Sequence, residues 1–322
     1  MSIVVTGGAG FIGSCIVRTL NDAGRADIII VDNIASTEKW KNLRNKKYLA
    51  YIHKSRFLKM LPDMEGIEAV IHMGAQSSTQ ERDFDYLWDN NFGYTKALWD
   101  YCSRKQISFL YASSAATYGD GSEGFDDRCA IERLMPLNAY GYSKQAFDLW
   151  VRHHAREHPA QHVGFKFFNV YGPDEYFKQD MASMVYHGYR QLRQDGEIRL
   201  FRSGRPDYAD GAQLRDFVYV KDVCDVVLWF LNHPEQSGLF NVGTGKAHSF
   251  AQLAEAVFHA LGMEPVIRYT GMPRHLEKTY QYYTQAEISS LREAGYTKAF
   301  ADVETGVRDY VRGYLEQGFA VY

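Results

Sequence analysis

Tyr140 and Lys144 stand four residues apart in Ala139-Tyr140-Gly141-Tyr142-Ser143-Lys144, so a helix carries both side chains on one face. An ammonium that close favours the phenolate and makes tyrosine a usable general base near neutral pH. The spacing alone is weak, because a second such pair stands at Tyr101 and Lys105. Position separates them. Lys105 ends a helical pattern just before the strand expected from Ile107, at the N-terminal edge of a sheet, whereas ligands bind beyond the carboxyl ends of strands. Tyr140 follows the strand that ends in Tyr111-Ala112-Ser113-Ser114, where Ser114 or Ser113 is placed to hydrogen-bond a substrate hydroxyl beside the phenol.

A second constellation opens the chain. Gly7-Gly8-Ala9-Gly10-Phe11-Ile12-Gly13 contains G-x-G-x-x-G at positions 8, 10 and 13, directly after the β-branched run Ser2 to Thr6 and before the helical spacing of Ile12, Ile16, Val17 and Leu20. Glycines there permit a tight turn and close approach of a pyrophosphate, whose charge meets backbone N–H groups at the helix N-terminus. Asp32, at the end of the next strand, is placed to hold a ribose 2′-hydroxyl, which favours NAD. Lys39, Lys41 and Lys54 follow closely, and one or two of them could neutralise a 2′-phosphate. Local sequence leaves both cofactors open.

These groups need a scaffold, and the chain alternates strand and helix. Strands are expected at Asp27 to Asp32, Glu68 to His72, Ile107 to Ala112 and His162 to Phe168, with helices at about 84–105 and 139–157. Repeated units of this kind predict an α/β doubly wound parallel sheet. After Phe168 the alternation loosens through a helix near Met181 to Asp195 and a Gly/Pro/Asp-rich segment from Ser203 to Gly211. Phe217 to Val220, a helix from Asp222 to Asn232 and Leu239 to Val242 look sheet-like again. The expected division is therefore 1–170 and about 217–246 in the first domain, with about 171–216 and 247–322 in a smaller lobe, packed around a cleft.

Composition narrows the classes. With 46% hydrophobic and 23% charged residues the chain is an ordinary globular one, and a net charge of −3 offers no basic excess for nucleic acid. Apolar runs such as Val226 to Leu231 fall far short of the roughly 20 residues that span a bilayer. No secretory leader is evident at the N-terminus, so the cytoplasm is expected. Four scattered cysteines without a C-x-x-C pair predict buried thiols. His154 and His158 would share a helical face beside His153, but no third ligand is suggested and Pro159 ends the segment, so no metal is expected.

Together these features resemble the extended short-chain dehydrogenase/reductase family over nearly the whole chain. Leu110 to Gly119, Pro136 to Lys144, Phe167 to Pro173, Met181-Ala182-Ser183, Arg215 to Val220 and Tyr280-Gln281 are more narrowly similar to its ADP-L-glycero-D-manno-heptose 6-epimerase subfamily. The resemblance implies a Rossmann-type sheet with a smaller α/β substrate-binding lobe. It implies an isomerase that converts ADP-D-glycero-β-D-manno-heptose to the L-glycero epimer by transient oxidation at carbon 6, for a lipopolysaccharide core heptose precursor. NADP is the implied cofactor over NAD, and a homopentamer the implied assembly. Tyr140 and Lys178 would serve as bases for the two faces of the substrate, with Ser114 beside them and Lys144 supporting Tyr140 and the nicotinamide ribose. Cofactor contacts would fall on Gly7, Gly10, Phe11, Ile12 and Gly13 of the turn, and on Asp32, Asn33, Lys39 and Lys54. Gly74, Ala75, Gln76, Ser77 and Asn91 would add to them, as would Tyr140, Lys144, Val170 and Lys178. Substrate contacts would fall on Ser114, Asn169, Asp180, His187, Phe201, Arg202, Ser203, Gly204, Arg215 and Tyr280.

The chain also departs from that pattern. Lys178-Gln179-Asp180 replaces Lys-Gly followed by Ser or Arg, and Arg205 to Gln213 reads as a loop found in only some members. An alternative is a UDP-sugar 4-epimerase, which needs one base and leaves Lys178 incidental. A dehydratase would need an acid beside Ser114, where Ala115, Ala116 and Thr117 follow. A binding module without activity has no reason to keep the Tyr140 and Lys144 face.

Overall fold

Ile28-Ile29-Ile30-Val31 offers no polar face to water, so a strand made of it needs cover on both sides. The structure, a computed structural model describing residues 1–154, 159–273 and 280–322, places it inside a seven-stranded parallel sheet. The strands are β1 (Ser2–Thr6), β2 (Ile28–Asp32), β3 (Ala50–His53), β4 (Ile67–His72), β5 (Ser108–Ser114), β6 (Gln161–Phe167), β7 (Asn169–Tyr171), β8 (Ile198–Phe201), β9 (Leu214–Arg215), β10 (Phe217–Tyr219), β11 (Gly238–Val242), β12 (His248–Ser249) and β13 (Ile267–Thr270). The large sheet runs β11-β6-β5-β4-β1-β2-β3. This is the doubly wound Rossmann order, and its direction reverses between β1 and β4, where a crevice opens beyond the carboxyl ends. Thr6 and His72 are partners at that edge of the β1–β4 pair.

Helices cover both faces. In chain order to residue 261 the helices are α1 (Phe11–Asp22), α2 (Lys54–Met60), α3 (Phe84–Leu87), α4 (Tyr94–Lys105), α5 (Ala139–His154), α6 (Met184–Asp195), α7 (Val220–Leu231) and α8 (Phe250–Leu261). Of these, α1, α2, α4, α5 and α7 pack on the large sheet, whereas α6 and α8 pack on each other and on β8. Alternation along β1 divides the core: Ile3 and Val5 join α1 and α7 residues on one side, while Val4 joins Leu98, Trp99 and Phe147 on the other. As expected from the sequence, the chain returns to the large sheet late, with β11 pairing β6. The Phe217 strand does not join it but pairs β7 in a separate two-stranded ladder.

Two expectations need revision. β3 and α2 were not expected, because the strand is only four residues long, Tyr51 is exposed at the sheet edge, and none of the four is fully buried. The helix expected over 84–105 contains a π-turn at Trp88–Gly93, which re-aims Asn91 into the interior. His158 lies outside the described residues.

The turn after β1 requires glycine for steric reasons. A Cβ on Gly13 would meet the Gly7 carbonyl oxygen at 2.1 Å, and Gly7 itself has φ +65° with Gly74 N 2.7 Å from where its Cβ would be. Behind the turn lies a fully buried ion pair, Lys46 to Asp174 at 3.0 Å. Asp174 also accepts from Ser14 Oγ (2.9 Å) and from the Tyr322 amide (2.9 Å). Asn42 donates to the carbonyls of Ala9 (3.1 Å) and Asp174 (2.9 Å), joining the glycine turn to the loop after β7. Removing one partner of such a pair strands a charge in the interior. Lys46→Ala is therefore expected to cost about 3–5 kcal/mol in urea unfolding; a loss under about 1 kcal/mol would show that the pair does not hold this junction.

Candidate active site

The crevice beyond β1 and β4 opens into a cleft of about 530 Å³. One wall is the glycine turn with Gly7, Gly10, Phe11, Ile12 and Gly13; Gly74, Ala75 and Ser77 form the edge after β4. Ser114, Tyr140 and Lys144 come from β5 and α5, Asn169 and Val170 from β7, and Lys178 from the loop beyond it. The structure thus brings both candidate bases to one cavity from different elements.

Tyr140 and Lys144 share a helical face as expected, but their electrostatics differ from the simple reading. Lys144 Nζ donates to the Ala112 carbonyl at 2.9 Å, anchoring α5 to β5. Burial pulls the Lys144 ammonium down to about 8, with the Asp148 carboxylate opposing. Burial raises the Tyr140 phenol, its hydrogen bond with Ser114 pulls it back, and Asp148 adds to the rise. Ser114 is therefore the group that favours the phenolate here. Asp148 is itself buried, accepting from Ser113 Oγ at 2.6 Å and pairing with Lys166 at 3.2 Å. Lys166 reaches Thr117 Oγ1 at 2.5 Å, which fixes the end of β5 from beneath.

Lys178 sits on a short 3₁₀ turn, Tyr176–Met181, with Gln179 at φ +50°. The buried Glu175 carboxylate accepts from the Ser183 amide and hydroxyl, both at 2.6 Å, and closes the loop around the lysine. Burial lowers the Lys178 pKa while Glu175 opposes, and its Nζ lies 5.2 Å from the Phe11 ring centroid. A partly desolvated amine of this kind is suited to exchanging a proton.

A smaller hollow of about 150 Å³ continues past Asp32, lined also by Asn33, Lys39, Lys54, Gln76 and Tyr94. Asp32 accepts from the Ala9 amide at 2.9 Å and pairs with Lys39 at 2.6 Å. Lys54 donates to Asn90 at 2.6 Å, and its pKa is lowered by burial and then by the charge on Lys39. Two cations that disfavour each other, beside an acid already engaged, suit an anion. Cradle and hollow together have the shape and donors of a dinucleotide site. Asn91 lines neither cavity; it stands behind, bracing the backbone of Gln76.

The expected substrate residues fall in two groups. Ser114 and Asn169 line the cleft. Arg215 is buried just beyond it, its guanidinium 5.6 Å from the ring of Phe250, a cleft residue, and 5.1 Å from the Tyr280 ring. It donates to the carbonyls of Leu214 and Gln281, and among the described residues no carboxylate pairs with it. Asp180 and Arg202 are exposed, Gly204 N donates to Tyr282 OH, and His187 rests its ring against Tyr186. The structure does not bring these four to the cleft wall, nor Phe201 and Ser203. Phe177, Met181, Met184 and Phe250 do line it and were not expected. Phe177 adjoins Lys178 and could have been found from that neighbour; Phe250 lies far along the chain and carries no local signal. Among the described residues, no three His, Cys, Asp or Glu side chains form a metal cluster, and no helix is long and apolar enough to cross a membrane.

Comparison with known proteins adds kinship to this geometry. Residues 3–243 match the NAD dependent epimerase/dehydratase family. An ADP-L-glycero-D-manno-heptose-6-epimerase of Nitratidesulfovibrio vulgaris is 51% identical over 316 residues, 97% of each chain. The crystal structure of the Helicobacter pylori ADP-L-glycero-D-manno-heptose-6-epimerase superposes with a TM-score of 0.83 at 28% identity, covering 97% of this chain and 95% of that one. A Thermus thermophilus UDP-glucose 4-epimerase in complex with NAD superposes with a TM-score of 0.76 at 25% identity, over 97% and 98% of the two chains.

The depressed lysine gives a direct check. In protein stripped of nucleotide, the Lys144 amine is expected to titrate near 8 by NMR, and a midpoint near the ordinary 10.5 would show that burial does not act on it as described.

Proposed function

Because the chain belongs to the NAD dependent epimerase/dehydratase family, as one of its epimerases, we propose that it inverts carbon 6 of ADP-D-glycero-β-D-manno-heptose, supplying the L-glycero heptose precursor of lipopolysaccharide core. The observation that carries this reading is the placement of Tyr140 and Lys178 on one cleft from two separate elements. Carbon 6 bears a hydroxyl and no neighbouring carbonyl, so its C–H bond has no acidity for a protein base to use. Bound in the cleft, NADP would supply a hydride acceptor and then return the hydride to the opposite face. Tyr140 takes the hydroxyl proton in one orientation of the side chain and Lys178 serves the other. Ser114 orients the oxygen beside Tyr140, and Lys144 holds the nicotinamide ribose. Arg215, a buried cation without a carboxylate partner among the described residues, suits the substrate diphosphate.

NADP is favoured over NAD because Lys39 already neutralises Asp32 and Lys54 stands beside it. The same reading assigns the Rossmann part, 1–170 and about 217–246, to the cofactor and the remainder to the substrate. It places the enzyme in the cytoplasm as a homopentamer.

Incubation with ADP-D-glycero-β-D-manno-heptose and, separately, UDP-galactose is expected to convert only the first; conversion of UDP-galactose would favour a 4-epimerase. Tyr140→Phe and Lys178→Met are each expected to slow turnover roughly 10²- to 10⁴-fold with NADP still bound. A nearly fully active Lys178→Met would reduce the scheme to one base. Replacing Lys39 and Lys54 by Ala is expected to weaken NADP binding at least about tenfold and NAD binding little, whereas equal losses would mark a plain NAD site.

A further inference from the structure

Between the glycine turn and α5 runs a buried path of hydrogen bonds whose direction is set at one end. The Asn91 carbonyl can only accept, so Thr95 spends its single hydroxyl hydrogen on it, at 2.5 Å. Thr95 Oγ1 also lies 2.8 Å from His72 Nε2, so the imidazole must supply the hydrogen of that bond. His72 is buried with Tyr94 and Phe109 stacked on its ring. Burial, and then the charge on Lys144, hold its pKa well below the usual value. The ring is neutral, so Nδ1 is bare, and the Thr6 hydroxyl at 2.5 Å donates to it. Thr6 Oγ1 in turn accepts the Gly74 N–H at 3.3 Å.

The path continues from the other side of Asn91. Its side chain accepts from the Gln76 amide at 2.9 Å, donates to the Gln76 carbonyl at 3.0 Å, and donates to Ser143 Oγ at 3.0 Å. The Ser143 hydroxyl donates to the Tyr140 carbonyl at 2.7 Å. Along this route the Asn91 amide is fixed in one orientation, its Oδ1 accepting from the Gln76 amide and from Asn90 Nδ2 (3.0 Å) while its Nδ2 donates twice.

We infer that His72, as the neutral Nε2–H tautomer, is a positioning residue that holds the strand ends around the glycine turn in register with the helix bearing Tyr140. The His72 side chain lines neither the cleft nor the hollow past Asp32. A neutral ring with its hydrogen on Nδ1 would set a bare Nε2 against a lone pair of Thr95 Oγ1, whose hydrogen is held by the Asn91 carbonyl. Lys144 is the charged group acting on the ring among the described residues. The functional half of this inference rests on the dinucleotide reading of the cleft; the tautomer does not.

Two measurements on the full chain test it. Nitrogen-15 spectra of labelled histidine near pH 7.5 are expected to show His72 protonated on Nε2 and bare on Nδ1; an Nδ1–H tautomer or an imidazolium would overturn the assignment. His72→Leu, which removes the acceptor of the Thr6 hydroxyl and the donor to Thr95 Oγ1, is expected to weaken NADP⁺ binding and to lower kcat, each about tenfold. His72→Asn returns an acceptor at the Nδ1 position alone, so it is expected to recover most of the NADP⁺ affinity and little of kcat. Folded His72→Leu protein with wild-type Kd and kcat would overturn the positioning role, as would an Asn variant no better than Leu in NADP⁺ affinity. Wild-type protein that bound neither NADP⁺ nor NAD⁺ would instead defeat the cofactor reading, and the spectra would still decide the tautomer.

Discussion

A carboxylate with no access to water, Asp174, fixes where the two halves of the cleft meet. Its partners come from four places: Ser14 in α1, Lys46, the Tyr322 amide, and, through its own carbonyl, Asn42. Asn42 in turn holds the carbonyl of Ala9 inside the glycine turn. The next residue, Glu175, closes the loop that carries Lys178. A buried ion pair of this kind contributes little net stability over an apolar replacement, because desolvation of the two charges offsets their attraction. What it does supply is geometry: a charge that can be satisfied in only one arrangement ties the turn to the lysine loop.

A second buried pair plays the matching part under α5. Lys166 and Asp148 hold Ser113 and Thr117 at the end of β5, and Asp148 is also the carboxylate acting on Tyr140 and Lys144. The proposed acid/base groups therefore sit between two desolvated ion pairs, one joining two loops and the other joining β6 to α5. This arrangement lets burial shift Lys144 and Lys178 downward without either residue being free to move to water.

The glycine turn, Asp32 and the Tyr140 to Lys144 face were legible because each is local: a strand, a turn and a helix written in consecutive residues. The Tyr101 to Lys105 pair was correctly set aside, since Tyr101 OH donates to Met64 O at 2.9 Å and Lys105 pairs with Glu65 at 2.7 Å, at the other end of the sheet. The supporting groups were not legible. Lys46 and Asp174 are separated by 128 residues, Thr6 and His72 by 66, and nothing in their neighbourhoods marks them as partners. The π-turn that buries Asn91 interrupts an otherwise regular helical pattern, and β3 is an edge strand without alternation. Kinship to the heptose epimerases suggested Asp180 and Arg202 as contacts, yet both are exposed, Asp180 where the chain departs from the family pattern.

In the proposed reaction, hydrogen at carbon 6 leaves and returns as hydride while Tyr140 and Lys178 exchange only hydroxyl protons. Turnover of ADP-D-glycero-β-D-manno-heptose in D₂O, followed by mass spectrometry and proton NMR of the product, tests it most directly. An epimerised product with no deuterium at carbon 6 is expected, and solvent deuterium at that carbon would rule out hydride transfer.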